Sequence, residues 1–592
     1  MFLYVAGVSN VASLGSRIVL QGGTQKNLSV VKAEVDFIRA HYHGAEIPEV
    51  AIHPNCCEAG AIGAALEAVE NRRSQKASSF PGFEFLDRPN YSISRDESTR
   101  CHFCTNRTFV ELSTDARSAC ESKRVIIANC ERGETENSDE LRKIGKAWYE
   151  LRQSSPNYVQ AAAEKLWLPV QCAPGTSLSS RAKSKTHLRA QIRIGIPRVL
   201  NLYAYAPLFS AYFVNLGIPA RNLHYSHYST PERYQQAAGF SAIDPCFPSK
   251  VALAHIYELL QHCQKDPLNA IFFLMFDVLT SPLEHCVGSN ACPCGAATPE
   301  AVKAAFYRKV NWFQKAGVQY LNPVLDLSDR DLFKYQMFKC WKDLLHLDWE
   351  ENARAVDAAF ATHSNFEAEF RSQTRQTLDN SEHTGQIGLV MLGRPYHHDP
   401  GLNQGIFEEL HRLGYPIFSQ GLLPLDADLL DRLFGPDIKA GLIRSPLDIS
   451  DVWKNTSSAN SNHKIWAAKF VARHLNLISV ELSNFKCGHD AFISRLIERI
   501  IAASGKPHFS FRDLDENRPI SSIRIRVETM HYFLKHYREQ LKGNLLVTQP
   551  RPAVTRGELS AMPNWRDFQI LPEWPTTGAN PISSAKQEGV QL

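Results

Sequence analysis

Three cysteines far apart in the chain stand in settings suited to metal or redox chemistry. They are Cys246 in Asp-Pro-Cys-Phe-Pro-Ser-Lys, Cys292 in Ser-Asn-Ala-Cys-Pro-Cys-Gly, and Cys487 in Asn-Phe-Lys-Cys-Gly-His-Asp. Proline and glycine beside a cysteine make sharp turns and leave backbone N–H groups near the sulfur. Such surroundings favour a thiolate, and hence iron or an iron–sulfur cluster. The competing reading is three core thiols, since free cysteine is among the most buried residue types. The flanking residues here are those of turns, unlike the helical text around Cys263 and Cys340, which reads as core. Cys294 stands close enough in sequence to replace Cys292. Cys101-His-Phe-Cys104 has the C-x-x-C spacing of a metal or redox site.

A second candidate group is Gly393-Arg-Pro-Tyr-His-His-Asp399. It follows the apolar run Gln386–Leu392, which reads as a buried strand, and α/β sheets bind ligands at the C-terminal ends of their strands. Arg394 could bind a phosphate or carboxylate bidentately, and His397 or His398 could move a proton. Each has an ordinary alternative, an ion-pair partner or a packed imidazole; their clustering on one loop makes them candidates. Asn403 reads as a helix cap. In Gln21-Gly-Gly-Thr-Gln-Lys-Asn27 two glycines lie between a strand and a helix start, where backbone can approach a phosphate or a base edge. Many β–α turns carry Gly-Gly for steric reasons alone. The acidic turn at Asp513, Asp515 and Glu516 reads as a solvated loop.

The elements that must hold these residues alternate between short apolar strands and helices, so the fold class is α/β. At 592 residues the chain exceeds one core. We expect segments at 1–75, 76–190, 191–345, 346–385, 386–545 and 546–592. The second is a cysteine-containing connector, the fourth a helical connector, and the last a disordered tail rich in Pro, Thr, Ser and Gly. The segments 191–345 and 386–545 read as two doubly wound lobes of similar build facing each other across a cleft. The chain is 44% hydrophobic and 21% charged, with a net charge of +4. Nothing in that balance suggests nucleic acid or a membrane surface as partner. No apolar run approaches the ~20 residues of a membrane helix, and no signal peptide is evident. A cytoplasmic protein is expected, its 14 cysteines thiols and metal ligands rather than a disulfide framework.

Ile18-Val-Leu-Gln-Gly-Gly-Thr-Gln-Lys-Asn27, followed by Glu58-Ala-Gly-Ala-Ile-Gly-Ala-Ala-Leu66, resembles the end of the ATPase domain of the 2-hydroxyacyl-CoA dehydratase activator and benzoyl-CoA reductase activase family. The rest resembles the large fused activase–dehydratase-like proteins. It does so in Ile194-Gly-Ile-Pro-Arg-Val-Leu-Asn201, Asp244-Pro-Cys-Phe-Pro-Ser-Lys250, Leu392-Gly-Arg-Pro-Tyr-His397, Trp466-Ala-Ala-Lys-Phe-Val-Ala-Arg-His474 and Asp513-Leu-Asp-Glu-Asn517. The resemblance implies the C-terminal fragment of an actin/Hsp70-like ATPase domain followed by two dehydratase-like lobes. It implies that Gly22, Gly23 and Thr24 contact adenosine, with ATP and Mg²⁺ as cofactors. The family's phosphate-binding loops lie upstream of the matching stretch, so ATPase activity is not expected of this chain alone. It further implies that Cys246, Cys292 and Cys487 ligate a [4Fe–4S] or larger cluster, with Cys130 joining Cys101 and Cys104. Arg394 and His397 would serve the substrate, an acyl-CoA or another small molecule, and a partner dehydratase or activase subunit would exchange electrons at low potential. The alternative is a non-catalytic scaffold or docking component.

Overall fold

The computed structural model describes residues 15–42, 48–73, 90–94, 107–113, 123–128, 131–169, 187–240, 243–308, 310–515 and 520–543. The N-terminal part pairs β1 (Arg17–Leu20) with β2 (Glu49–Ile52) in parallel. Helix α1 (Leu28–His41) connects them and α2 (Ala59–Arg73) follows. An antiparallel sheet of β3 (Asn90–Ser94), β4 (Arg107–Ser113) and β5 (Lys123–Ala128) comes next. Helices α3 (Ser138–Ser154) and α4 (Tyr158–Lys165) lead to the larger units.

Two four-stranded parallel sheets organise the remainder. The first is built from β6 (Ile194–Ile196), α5 (Leu202–Asn215), β7 (Leu223–Tyr225), α6 (Pro231–Ala238), α7 (Phe247–Lys265) and β8 (Ala270–Phe272). It continues through β9 (Met275–Val278), α8 (Pro293–Tyr307), α9 (Trp312–Ala316), β10 (Gln319–Leu321), β11 (Val324–Asp326) and α10 (Arg330–Trp341). Its strand order is β10-β8-β6-β7, with β9 and β11 forming a parallel pair beside it. The second has β12 (Gly388–Leu392), α12 (Ile406–Arg412), β13 (Ile417–Ser419), α13 (Ala427–Lys439) and α14 (Ala459–Arg473). After these come β14 (Leu477–Leu482), α15 (Gly488–Ala503), β15 (His508–Phe511) and α16 (Ile520–Gly543), in strand order β13-β12-β14-β15. Within each sheet the first strand in sequence lies between the second and the third, so the two share one winding.

Strands β6, β8, β12 and β14 are buried along their whole length, as parallel strands covered by helices on both faces must be. Tight packing sets their sequence: a Cβ on Gly388 would come within 2.6 Å of the Phe418 ring. Helix α11 (Trp349–Thr384) links the lobes. An Asp348–Glu351 capping box starts it. Gly385 ends it at φ 63°, a left-handed conformation that favours glycine. The helix packs on both lobes: Tyr212 of the first donates to Asn352 Oδ1 at 2.7 Å, and Thr374 donates to the Leu422 carbonyl of the second at 2.7 Å. The seam between lobes is polar and dense. Buried Asp399 accepts from Tyr203 (2.8 Å) and from the Ser229 hydroxyl (2.7 Å), and Gly401 presses backbone to backbone on Ser229. No described helix is long and apolar enough to cross a membrane.

Candidate functional site

In a parallel sheet wound this way, the loops after the first and third strands diverge to opposite faces and leave a crevice at the C-terminal edge. In the second lobe those loops are Gly393–Asp399, after β12, and Ser483–Cys487, after β14. The corresponding edge of the first lobe carries Leu200 and Asn201, and the segments leading into α7 and α8 reach the same place. Between them lies a cavity of about 280 Å³ lined by Cys246, Cys292, Cys294, Cys487, Arg394 and Tyr396, among others. The three cysteines singled out from sequence therefore come together, from segments more than 40 and almost 200 residues apart.

Each of the three occupies the N-cap of a helix: Cys246 of α7, Cys292 of α8 and Cys487 of α15. An N-cap is ordinarily Ser, Thr, Asp or Asn, whose side chain satisfies a first-turn N–H. Here no sulfur caps its own helix, and all three line the cavity. The prolines Pro248 and Pro293 fit because the first helical turn needs no N–H from them. Three helix N-termini thus gather, each bringing the positive end of its dipole, an arrangement that favours negative charge. Leu200, in the wall, holds φ at 51°. That is a costly conformation for a leucine, of the kind that collects at functional sites.

Cys294 joins the cluster. Its Sγ lies 3.9 Å from that of Cys246 and 3.6 Å from the Ser249 hydroxyl. The hydrogen bond from Cys246 pulls the Cys294 thiol down to about 5, against the effect of burial. The same bond, together with burial, pushes Cys246 up. Burial also raises Cys487, opposed by the nearby Arg394 guanidinium.

Arg394 is 3% exposed. Its Nη2 donates to Asp490 Oδ1 at 2.9 Å and to the Ser461 hydroxyl at 3.3 Å, while Nε and Nη1 have no protein partner. Burial works against its charge, but Asp490, Cys487, Tyr396 and Cys292 together hold it firmly protonated. Behind it runs a fully buried ionic chain. Lys464 lies 3.3 Å from Asp490 and 3.0 Å from Glu481, and Ser483 donates to Asp490 at 2.8 Å. Against the effect of burial, Arg394 and Lys464 hold the Asp490 carboxyl below the ordinary range. Against the same effect, Lys464, His508 and Arg512 hold Glu481 at about 2. None of Lys464, Glu481 or Asp490 is singled out by sequence. Glu481 carries a signal, as the one charge inside an otherwise apolar run, Leu477-Ile-Ser-Val-Glu-Leu482.

The two histidines of the loop separate. His397 is fully buried, accepts the Arg394 backbone N–H at Nδ1 (2.9 Å), and does not line the cysteine cavity. Burial, then Lys464, lowers it to about 3. Its geometry is that of a brace for the loop. His398 instead lines an adjoining chamber. Asn403 also braces, donating to the His397 carbonyl at 3.1 Å and accepting from Gly405 N–H at 2.8 Å. Gly22, Gly23 and Thr24 lie on the turn between β1 and α1. There Gly22, at φ 105°, donates to the Cys56 carbonyl at 2.7 Å, and Gly23 and Thr24 are exposed. Cys101, Cys104 and Cys130 lie outside the described residues.

Residues 193–423 match the family model described as the CoA enzyme activase uncharacterised domain. This part of the chain is similar to that domain. The matched span includes the whole first sheet, α11, and the second lobe as far as the turn after β13, and so contains Cys246, Cys292, Cys294 and Arg394. Cys487, Lys464, Glu481 and Asp490 lie beyond the matched span, which places the cavity across its C-terminal limit. No curated protein matches the chain.

Proposed function

We propose that Cys246, Cys292 and Cys487 hold an iron–sulfur cluster, and that the chain handles low-potential electrons within the activase and dehydratase system to which its similarity to the CoA enzyme activase domain links it. The observation that carries this reading is the convergence of three helix-capping cysteines, from two lobes, on one cavity. The donor set fits the group. Three sulfurs free of capping bonds are the ligands such clusters take. The three helix N-termini, with the guanidinium of Arg394, would balance the cluster's negative charge. Cys294 adds a fourth sulfur beside Cys246.

Such a cluster supplies one-electron chemistry at a potential tuned by hydrogen bonds and burial. The chain's own residues set those conditions. Arg394 brings a fixed positive charge to Cys487 and Cys292. The Lys464–Asp490–Glu481 chain keeps Arg394 in place and charged. ATP-driven electron delivery would come from a partner activase subunit.

The test is anaerobic purification or reconstitution with iron and sulfide, followed by metal analysis and electron paramagnetic resonance of the reduced protein. Stoichiometric iron and sulfide with a cluster signal, lost or altered in Cys246→Ser, Cys292→Ser and Cys487→Ser, is expected. A colourless, iron-free protein after reconstitution would overturn the proposal.

A further inference from the structure

Away from the cysteine cavity, three ligating side chains meet where the edge of the first sheet packs on the end of α7. Strand β7 is the outermost strand of that sheet, and His224 pairs there with Gly195 of β6. A Cβ on Gly195 would come within 2.8 Å of Leu268 and 3.3 Å of Leu259, a residue of α7. Residues paired side by side project to the same face of a sheet, so His224 stands on the face that α7 covers. His262 and Asp266 come from the last turn of α7 and its C-cap. Four residues apart, they share one helix face, and the Asp266 N–H closes the turn on the His262 carbonyl at 2.9 Å. The His224 and His262 rings lie 4.9 Å apart, centre to centre. His262 Nε2 is 3.7 Å from Asp266 Oδ2, and ligand atoms from all three residues fall within 4.8 Å of one another. The His262 side chain is 36% exposed, yet its Nε2 is buried and makes no hydrogen bond.

Two imidazoles and a carboxylate suit zinc and its neighbours in the first transition row. Metal–ligand bonds of about 2.0–2.2 Å set tetrahedral ligands roughly 3.4 Å apart, within reach of these side chains by rotation about their own bonds. Burial, with His262 and Arg193 nearby, holds His224 below the usual imidazole range, which keeps it in the neutral form that ligates. An ion pair of Asp266 with a protonated His262 explains those two residues alone; a second imidazole against the first opposes that protonation. Arg193 brings a positive charge to the same place and pairs with Asp266 Oδ1. It occupies one carboxylate oxygen and leaves Oδ2, on the His262 side, for an ion. We propose that His224, His262 and Asp266 bind a divalent transition-metal ion of the zinc type, with water completing its coordination. The ion would fasten edge strand β7 to α7 at the opposite end from Cys246, the N-cap of that helix. The site is separate from the cysteines and stands whatever they hold.

The test is titration of the full chain, stripped of metal and kept anaerobic, with Co²⁺, counted by equilibrium dialysis and followed by visible absorption. Imidazole and carboxylate ligands give no sulfur-to-cobalt charge-transfer band, so this equivalent is read apart from any taken by cysteines. We expect one such equivalent per chain, displaced by Zn²⁺. His224→Ala and Asp266→Asn should each weaken it by about tenfold or more, since even groups that only orient a ligand are worth that much. Any sulfur bands should stay unchanged in both. Arg193→Gln leaves the three ligands in place and removes the competing charge, so it should tighten the site by about threefold or more. A loss of fold could not produce that gain. Absence of any equivalent free of sulfur bands would overturn the proposal. So would one whose affinity is the same in His224→Ala, Asp266→Asn and Arg193→Gln as in the wild type.

Discussion

Asp490→Asn removes one charge and almost no volume from the centre of the second lobe, and its consequence can be worked out from the bonds it breaks. The carboxylate accepts from Arg394 Nη2 at 2.9 Å and from Ser483 Oγ at 2.8 Å, and lies 3.3 Å from Lys464 Nζ. Lys464 keeps a partner in Glu481, at 3.0 Å. Arg394 keeps none of like kind, since Asp490 is its one carboxylate among the described residues. Removing one partner of a buried ion pair costs about 3–5 kcal/mol, because the remaining charge is stranded. For a unit of this size that corresponds to a fall in melting temperature of roughly 6–20 °C. Urea unfolding followed by the fluorescence of Trp466, buried in the same lobe, is the assay. Arg394→Gln should be milder alone, because Asp490 still has Lys464, and the double variant should recover about 2 kcal/mol or more of the sum. The Asp490 carboxyl is held below the ordinary range. Its contribution is therefore complete above about pH 4 and is lost as pH falls below that. The gap between wild type and Asp490→Asn should be constant from pH 5 to 8. A variant within about 1 kcal/mol of wild type, or a cycle with no coupling, would refute the assignment of this network as the support of Arg394.

Three buried histidines make stability sensitive to mild acid. Burial lowers His255 and His398 to about 4 and His397 to about 3. In an unfolded chain the value is about 6.5. Their contribution is whole above about pH 6.5 and falls by about 1.4 kcal/mol each per pH unit below it, about 4 kcal/mol together. Urea midpoints that stay flat from pH 7 to 5 would contradict this. Gly401→Ala should open the seam, because a Cβ there falls on the Ser229 carbonyl. Limited proteolysis between the lobes should speed up markedly, and an unchanged rate would count against a closed seam. Gly388→Ala should cost about 1–3 kcal/mol through its clash with Phe418, unless the ring rotates away, which a structure of the variant would show.

Much of the site is legible because turn chemistry is local. Pro and Gly beside Cys246, Cys292 and Cys487 announce helix starts, and an apolar run ending in Gly393-Arg announces a strand and its ligand-binding edge. The alternation of strands and helices likewise announces an α/β fold. What cannot be read depends on partners distant in sequence. Lys464 is an ordinary helical lysine until Asp490 and Glu481 are brought to it. Nor can sequence tell His397 from His398. Adjacent on one tight turn, one points into the lobe as a brace and the other faces a chamber, and only the turn's geometry decides which. The antiparallel sheet of β3–β5 escapes a sequence reading because the apolar runs of β4 and β5, Phe109-Val110 and Val125-Ile-Ile127, are too short to tell strand from helix.

The division of the cysteines between lobes has a kinetic corollary. Two of the three caps, and Cys294, belong to the first lobe, while the second supplies Cys487 alone. If the seam breathes, any shared occupant would detach from the side with a single tether and stay on the side with several. Loading and loss would then follow different routes: capture by the first lobe, then locking by the second. The exposed Asp244 that joins Lys250 of the first lobe to Lys486 of the second, one residue before Cys487, sits where such a lock would be thrown.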